Sequence, residues 1–251
     1  MSFRTGAIRV INGALEQVGL RLLVDRPMRN PVRLLVLKAE AARVATIVDV
    51  GAHVGEFSGD LRRYGFAGTI VSFEPSSKAH AKLAANAAHD PHWLVAPRMA
   101  LGSVAGRSTL NVSENQVSSS LLEIRTIVTD TVSDSRYIDN EEVEVATLDG
   151  QLKPQWGGPL ALKIDTQGFE LEVLRGATET LKRTAAVMLE MSLTSLYRGG
   201  GTFCEVYGYL ESAGFRCIAL TEGFADIVRN EVLQVDAVFV RDDPQASADP
   251  A

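Results

Sequence analysis

A few carboxylates and two glycines are the groups of this chain whose types and spacing could support chemistry. In Val48-Asp49-Val50-Gly51-Ala52-His53-Val54-Gly55 the glycines stand four apart after a short apolar run. The dinucleotide fingerprint G-x-G-x-x-G needs a glycine where this chain has His53, so that a diphosphate can reach the backbone. A nucleoside without a diphosphate tolerates a side chain there. Gly51 lets the chain turn sharply, and Gly55 permits close packing of the helix that follows. Asp49 can accept from a ligand ammonium group through water or the loop backbone, and would repel a diphosphate. Glu74 follows 23 residues after Gly51, at the end of the next apolar run, where a carboxylate can accept from both ribose hydroxyls of a nucleoside. Farther on, Leu162-Lys163-Ile164-Asp165 puts Asp165 at the carboxyl end of a buried strand. A carboxylate there is costly unless it meets a ligand, a metal or hydrogen-bond donors. Lys163 shares its strand face, so an ion pair between the two is the structural alternative. Asp165 is the first candidate for a general base and Glu190, at the end of the following strand, the second. Two carboxylates at neighbouring strand ends could instead bind Mg²⁺. Lys163 and His53 are outside candidates.

The elements that must position these groups alternate. Thr46–Val50, Thr69–Phe73, Trp93–Ala96, Leu160–Asp165 and Ala185–Glu190 read as strands, the first as one buried on both faces. Between them Gly55–Tyr64, Ser76–Ala88, Phe169–Arg175 and Phe203–Ala213 read as helices, three of them ended by glycine. Phe215–Leu220 and Val235–Val240 follow one another without a helix, which predicts an antiparallel hairpin at one edge of the sheet. Ser108–Val112 and Val143–Thr147 alternate polar and apolar residues and suit half-exposed strands of an insertion. The polar stretch 113–140 between them has the length of a functional or mobile loop. Ile8, Ile11, Leu15, Val18 and Leu22 have helical spacing, and a second helix is expected over Val32–Ala42 after Pro31. The chain therefore divides into an N-terminal helical segment (1–43), an α/β domain (44–241) and a polar tail (242–251) expected to be disordered. Strands alternating with helices imply a doubly wound, mostly parallel sheet with its ligand site at the carboxyl ends of the strands.

Composition narrows the function. The 251 residues carry a net charge of −6, and 46% are hydrophobic, enough for a core. Residues 1–43 hold eight basic and three acidic side chains, so the rest carries about −11, a surface that repels nucleic-acid phosphates. The basic first helix reads as a cap on the domain, then as a dimer contact, then as an attachment to anionic lipid. No apolar stretch is long enough to span a bilayer, and Asn12, Glu16 and Gln17 interrupt what would be a signal peptide's core. Cys204 and Cys217 form neither a disulfide framework nor a metal-ligand spacing, and a reducing cytoplasm is the default compartment.

Taken together, Val48–Gly55, Phe73-Glu74-Pro75, Val145-Ala146-Thr147-Leu148-Asp149, and Leu162–Glu170 with Leu174-Arg175-Gly176-Ala177 resemble, in order, the blocks of the FkbM-type methyltransferases. The resemblance runs from about residue 46 to about 240. It implies a class I methyltransferase fold (Rossmann-like, seven strands), S-adenosylmethionine as methyl donor, and a hydroxyl acceptor on a sugar, glycan or other natural product. By that similarity Asp49, Gly51, Ala52, Gly55 and Glu74, with His53, Pro75 and Met99 beside them, hold the cofactor, and Asp165 lies near the methyl group. Two departures stand out. His53 occupies a place where the family more often has asparagine, and Met99 one where many related enzymes put an acidic residue against the adenine. The block at Asp165-Thr166-Gln167-Gly168 also lacks the Asn/Asp-Pro-Pro-Tyr-like pocket of adenine N6 transfer, and neither cysteine has the setting needed for cytosine C5 transfer. An NAD-type oxidoreductase, opposed by the missing glycine, and a cofactor-binding protein without catalysis are the competing classes.

Overall fold

The computed structural model describes residues 27–153 and 156–241. The amphipathic segment around Ile8–Leu22 and the tail from Asp242 lie outside these residues. Asn30 caps the first described helix, α1 (Pro31–Ala41), by accepting from the Arg33 N–H, and Pro31 starts the helix where its missing N–H costs nothing. The core then alternates: β1 (Thr46–Val50), α2 (Glu56–Arg63), β2 (Thr69–Phe73), α3 (Ser77–Ala87) and β3 (Trp93–Val95). An insertion follows, comprising β4 (Ala100–Leu101), β5 (Gly106–Ser113), α4 (Thr126–Thr131) and β6 (Tyr137–Ala146). After α5 (Leu148–Gln151) come β7 (Leu160–Ile164), α6 (Glu170–Arg175), α7 (Thr178–Lys182), β8 (Thr184–Ser192), α8 (Phe203–Ser212) and β9 (Phe215–Glu222). The two-residue strands β10 (Ala225–Asp226) and β11 (Glu231–Val232) precede the last strand, β12 (Gln234–Arg241).

Seven strands form the main sheet in the order β3-β2-β1-β7-β8-β12-β9. All neighbours are parallel except β12, which runs antiparallel between β8 and β9. The expected terminal hairpin is present, but its second strand slots inward and leaves β9 at the edge. This is the class I methyltransferase arrangement. The central strands β1 and β7 are buried along their whole length, as near-continuous apolar runs covered on both faces should be. Alternation along β1 separates the two faces. Val48 and Val50 join a core with Leu171 and Leu174 of α6 and Leu210 of α8, while Ile47 joins one with Leu35 of α1, Leu61 of α2 and Leu83 of α3.

The insertion is more ordered than the sequence suggests. β5 and β6 are longer than the alternating stretches 108–112 and 143–147, and pair antiparallel from Gly106–Val145 to Ser113–Tyr137, with β4 parallel to β6 on the other side. The presumed loop 113–140 is not one open stretch. It contains α4 and a short turn of 3₁₀-helix at Ser133–Ser135, and it folds back so that Asn111 and Ser120 exchange backbone hydrogen bonds. Asp149 ends this region with a local duty. Its carboxylate accepts from the Glu179 and Thr180 N–H groups and from both threonine hydroxyls of α7, so it caps that helix.

Candidate active site at the carboxyl ends of the strands

The loop after β1 is built from backbone. Gly51, at φ +76°, turns the chain so tightly over β7 that a Cβ on it would lie 1.8 Å from the Asp165 carbonyl oxygen. Gly55, at φ +94°, packs against Trp93, which a Cβ would meet at 2.5 Å, and so serves packing as expected. His53 is also left-handed, at φ +49°. Asparagine and histidine are among the few non-glycine residues that adopt this region readily, which explains how His53 can stand where the family more often has asparagine. The His53 N–H donates to Glu74 Oε2 at 2.7 Å, and the Ser76 N–H donates to Oε1 at 2.8 Å. The carboxylate is thereby fixed at the strand end with a second lone pair free on each oxygen. Burial pushes its pKa up against the two N–H donors.

Glu74 lines a cavity of about 660 Å³ together with Gly51, His53, Pro75, Met99 and Asp165. Its other walls include Phe73, Leu101, Leu110 and Phe169. The fixed Glu74 carboxylate beside an apolar wall of Phe73, Met99 and Leu101 suits a nucleoside, whose hydroxyls can donate to the carboxylate and whose flat ring can pack on the wall. Met99 belongs to the apolar wall, so the adenine side of such a ligand would be held by packing.

Asp49 is placed differently. Flanked by Val48 and Val50, it points to the opposite face of β1, where it is fully buried and lines neither this cavity nor its neighbour. The cross-strand register aligns Ser72 of β2, Asp49 of β1 and Lys163 of β7. Together they make a polar row under α2. Ser58 of α2 donates to Asp49 Oδ2 at 3.0 Å and Lys163 Nζ stands 3.3 Å from Oδ1. Lys163 also donates to the Gly51 carbonyl at 2.8 Å. Asp49 therefore acts on the loop backbone through Lys163 and does not reach the cavity. Burial raises the Asp49 pKa, and Lys163 and Ser58 only partly oppose it. For Lys163 burial would lower the pKa, but the carboxylates of Asp49 and Asp165 outweigh it and hold the ammonium charged. A lysine so held is no proton acceptor.

A second cavity, of about 760 Å³, adjoins the first and is lined by Ala52, Lys163, Asp165, Glu190 and Asp236 among others. Gly51, His53, Val117 and Asp165 border both. Asp165 is about one-third exposed, and the ion pair with Lys163 exists at 3.7 Å, longer than the Lys163–Asp49 pair. Glu190 faces Asp165 across a bridging amide: Gln167 Nε2 donates to Asp165 Oδ1 at 2.8 Å and to Glu190 Oε2 at 3.2 Å. Gln234 of β12 donates to the same Glu190 oxygen at 2.7 Å. Burial, then the charges of Asp165, Glu170 and Asp236, push Glu190 well above the carboxylate range. Asp236 is raised to about 6, by burial and by Asp165. Glu170 is raised to about 7, mainly by burial, and clamps the loop by accepting from the Thr166 and Gly168 N–H groups.

Gln167, Tyr197, Gln234 and Asp236 are site residues that the sequence did not point to. Among the described residues no group of three or more His, Cys, Asp or Glu side chains is arranged to hold a metal ion, and the pair Asp165–Glu190 is spanned by an amide. Within the insertion Ser119 and Ser120 line the first cavity, while the loop 192–201 after β8 borders a separate one. Cys204 and Cys217 are free thiols. Among the described residues no helix is long and apolar enough to cross a membrane.

Residues 49–217 match the family described as the methyltransferase FkbM domain. The chain belongs to the FkbM methyltransferase family. No curated protein sequence matches it. Among solved structures it is similar to magnesium protoporphyrin IX methyltransferase from Synechocystis PCC 6803, at 10% identity over 96% of this chain and 98% of that one, with a TM-score of 0.46. It is similar also to an O-methyltransferase from Bacillus cereus, at 12% identity over 96% and 92% of the two chains and a TM-score of 0.46. A third is an rRNA methylase from Streptococcus thermophilus, at 12% identity over 88% and 100%, with a TM-score of 0.47. In this FkbM methyltransferase the family match takes in the last two residues of β1 and the loop after it, both strand ends that carry Glu74 and Asp165, and Glu190.

Proposed function

We propose that this methyltransferase uses S-adenosylmethionine to methylate a hydroxyl group of a sugar, glycan or other natural product. The carrying observation is Asp165, the carboxylate that borders both the cavity holding Glu74 and the acidic cavity beside it. When bound, S-adenosylmethionine supplies a methyl group already activated on a sulfonium. The chain's own work is then alignment and proton transfer. Glu74 and the apolar walls of the first cavity hold the donor, and the second cavity holds the acceptor. Asp165 Oδ2, the oxygen that Gln167 leaves free, takes the hydroxyl proton as the oxygen attacks. Glu190, its pKa raised, is better suited to holding a proton than to accepting one, so Asp165 is the base. The acidic lining of the second cavity suits an acceptor rich in hydroxyl donors and disfavours a nucleic acid. The place of His53, where a diphosphate would need glycine, argues against a nicotinamide dinucleotide. With two free thiols, the reading puts the reaction in the cytoplasm.

Calorimetric titration should show binding of S-adenosylmethionine or its demethylated product, and none of NAD. A screen of hydroxylated acceptors with labelled donor identifies the substrate. On that substrate Asp165→Asn should lower kcat by about 10²–10⁴-fold while leaving donor affinity within about twofold. Turnover at the normal rate in Asp165→Asn would remove the base from the proposal.

A further inference from the structure

Gln167 is an unusual residue for its position. It is non-glycine, yet sits at φ +55°, immediately before Gly168 at φ +96°, whose Cβ position would fall 2.7 Å from Tyr197. A side chain held in left-handed backbone at a strand end costs on the order of 1 kcal/mol and persists where the surroundings over-determine it. The surroundings here do so at three atoms. The buried Tyr197 donates its hydroxyl proton to Gln167 Oε1 at 2.6 Å, and Ser120 Oγ donates to the Gln167 carbonyl at 2.7 Å. With Oε1 engaged as acceptor, the amide orientation is set, and both hydrogens of Nε2 point to the carboxylates of Asp165 and Glu190. Four segments thereby meet at one residue: the β7 end, the β8 end and the Tyr197 loop at its side-chain amide, and the Ser120 loop of the insertion at its backbone carbonyl.

We propose that Gln167 is a positioning residue that joins Asp165 and Glu190 into one hydrogen-bonded unit, with Tyr197 fixing the direction of its amide. The proposal deepens the reading of Asp165 as the base and rests on it for its catalytic meaning. The physical reason is a balance of like charges. Asp165 and Glu190 face each other with Glu170 and Asp236 nearby, and Lys163, which stands 3.7 Å from Asp165, is closer to Asp49. Two ionised carboxylates in such a setting repel, so one keeps its proton. Amide hydrogens favour the charged form of whichever carboxylate they touch, and the shorter bond, at 2.8 Å, goes to Asp165. The longer one, at 3.2 Å, goes to the oxygen of Glu190 that Gln234 already serves. Burial and the surrounding carboxylates outweigh those donors and leave the proton on Glu190, while Asp165, the one of the two that borders both cavities, is held in place by the shorter amide bond.

The test needs no acceptor. Protein labelled with ¹³C at aspartate and glutamate carboxyls is titrated by NMR in the wild type, Gln167→Met and Tyr197→Phe. Methionine keeps the volume and removes the donors; phenylalanine keeps the ring and removes the hydroxyl that aims the amide. Asp165 and Glu190 resonances are assigned with Asp165→Asn and Glu190→Gln. The expected result is an upward move of the lower midpoint of the pair by about one unit in Gln167→Met and by a smaller amount in Tyr197→Phe, because the ionised form has lost its donors. Midpoints within 0.3 unit of wild type (about twofold in protonation) in a folded Gln167→Met variant would overturn the proposal. On the acceptor found by the screen, the same variant should lower kcat and move the acid limb of the kcat profile upward, with donor affinity unchanged. A fall in donor affinity with an unmoved acid limb would mean that Gln167 only supports the loop, and would also overturn it. Failure of the underlying reading looks different: Asp165→Asn would turn over normally while the midpoints of the wild-type pair still moved in Gln167→Met.

Discussion

The two halves of the site are held by different kinds of chemistry. At the ends of β1 and β2, position is set by main chain: two left-handed glycines, a left-handed histidine, and two N–H groups that grip one carboxylate. At the ends of β7, β8 and β12, position is set by side chains, with the carboxylates of Asp165 and Glu190 held by two amides and a lysine. Backbone geometry tolerates only residues that its dihedrals admit but does not itself titrate. A side-chain network tolerates conservative change but carries proton equilibria, which is what a base needs and what a donor-binding loop must avoid. The comparison predicts that damage to the first half removes donor binding and stability together, whereas damage to the second alters pH dependence first.

The largest effect belongs to Gly51→Ala. The new methyl group would lie 1.8 Å from the Asp165 carbonyl oxygen, against backbone, in a left-handed conformation. Overpacking and the φ penalty together should cost about 3–5 kcal/mol and abolish donor binding, read by thermal unfolding and calorimetry. A variant of normal stability that binds donor would show that the loop has another way to cross β7. Second in size is Lys163→Met. Lys163 links the halves, since it touches Asp49, Asp165 and the Gly51 carbonyl. Its loss leaves a buried carboxylate uncompensated, worth about 3 kcal/mol at neutral pH. The loss should shrink in acid, where Asp49 takes up a proton, so stability measured at pH 5 and at pH 8 should diverge less from wild type at pH 5. An equal loss at both would mean that packing of the lysine stem, against Phe57 for instance, outweighs its charge.

How much of this could be read from the amino acids follows the same division. Gly51, Gly55 and Glu74 were legible because the donor side is local, made within one strand–loop–helix and the next strand end. Asp49 was half legible. The valines on either side of it already imply a face opposite to the cavity, but the register that sets Ser72 and Lys163 beside it is a property of three paired strands. Gln234, 44 residues beyond Glu190, and Asp236 could not be foreseen, because nothing in the alternation of the last strand tells that it enters between β8 and β9. Tyr197 was hidden for a similar reason: a loop residue gains meaning only from the amide it meets. The insertion misled in the other direction. Its polar composition suited an open loop, yet its order comes from hydrogen bonds such as Asn111 to Ser120 that polar residues themselves supply.

The smallest predicted effect is the sharpest test of the contrast. Glu170 is buried, lies on the side-chain half, and has its pKa raised to about 7, chiefly by burial. In the unfolded chain the same group titrates near its ordinary value of 4.5. The folded state therefore binds more protons between those values, so the stability it contributes is full below about pH 4.5 and is lost as pH rises through 7. Glu170→Gln keeps an oxygen for the Thr166 and Gly168 N–H groups and removes the titration. Urea unfolding at pH 5 and pH 8 should show the variant gaining roughly 1–2 kcal/mol on wild type at the higher pH, with little difference at the lower. Donor affinity should be unchanged at both, because Glu74 and its N–H donors lie on the other half. Parallel pH dependence in the two proteins would show that the Thr166 and Gly168 donors already hold Glu170 ionised, and that the loop carrying Asp165 is fixed by backbone as firmly as the loop carrying His53.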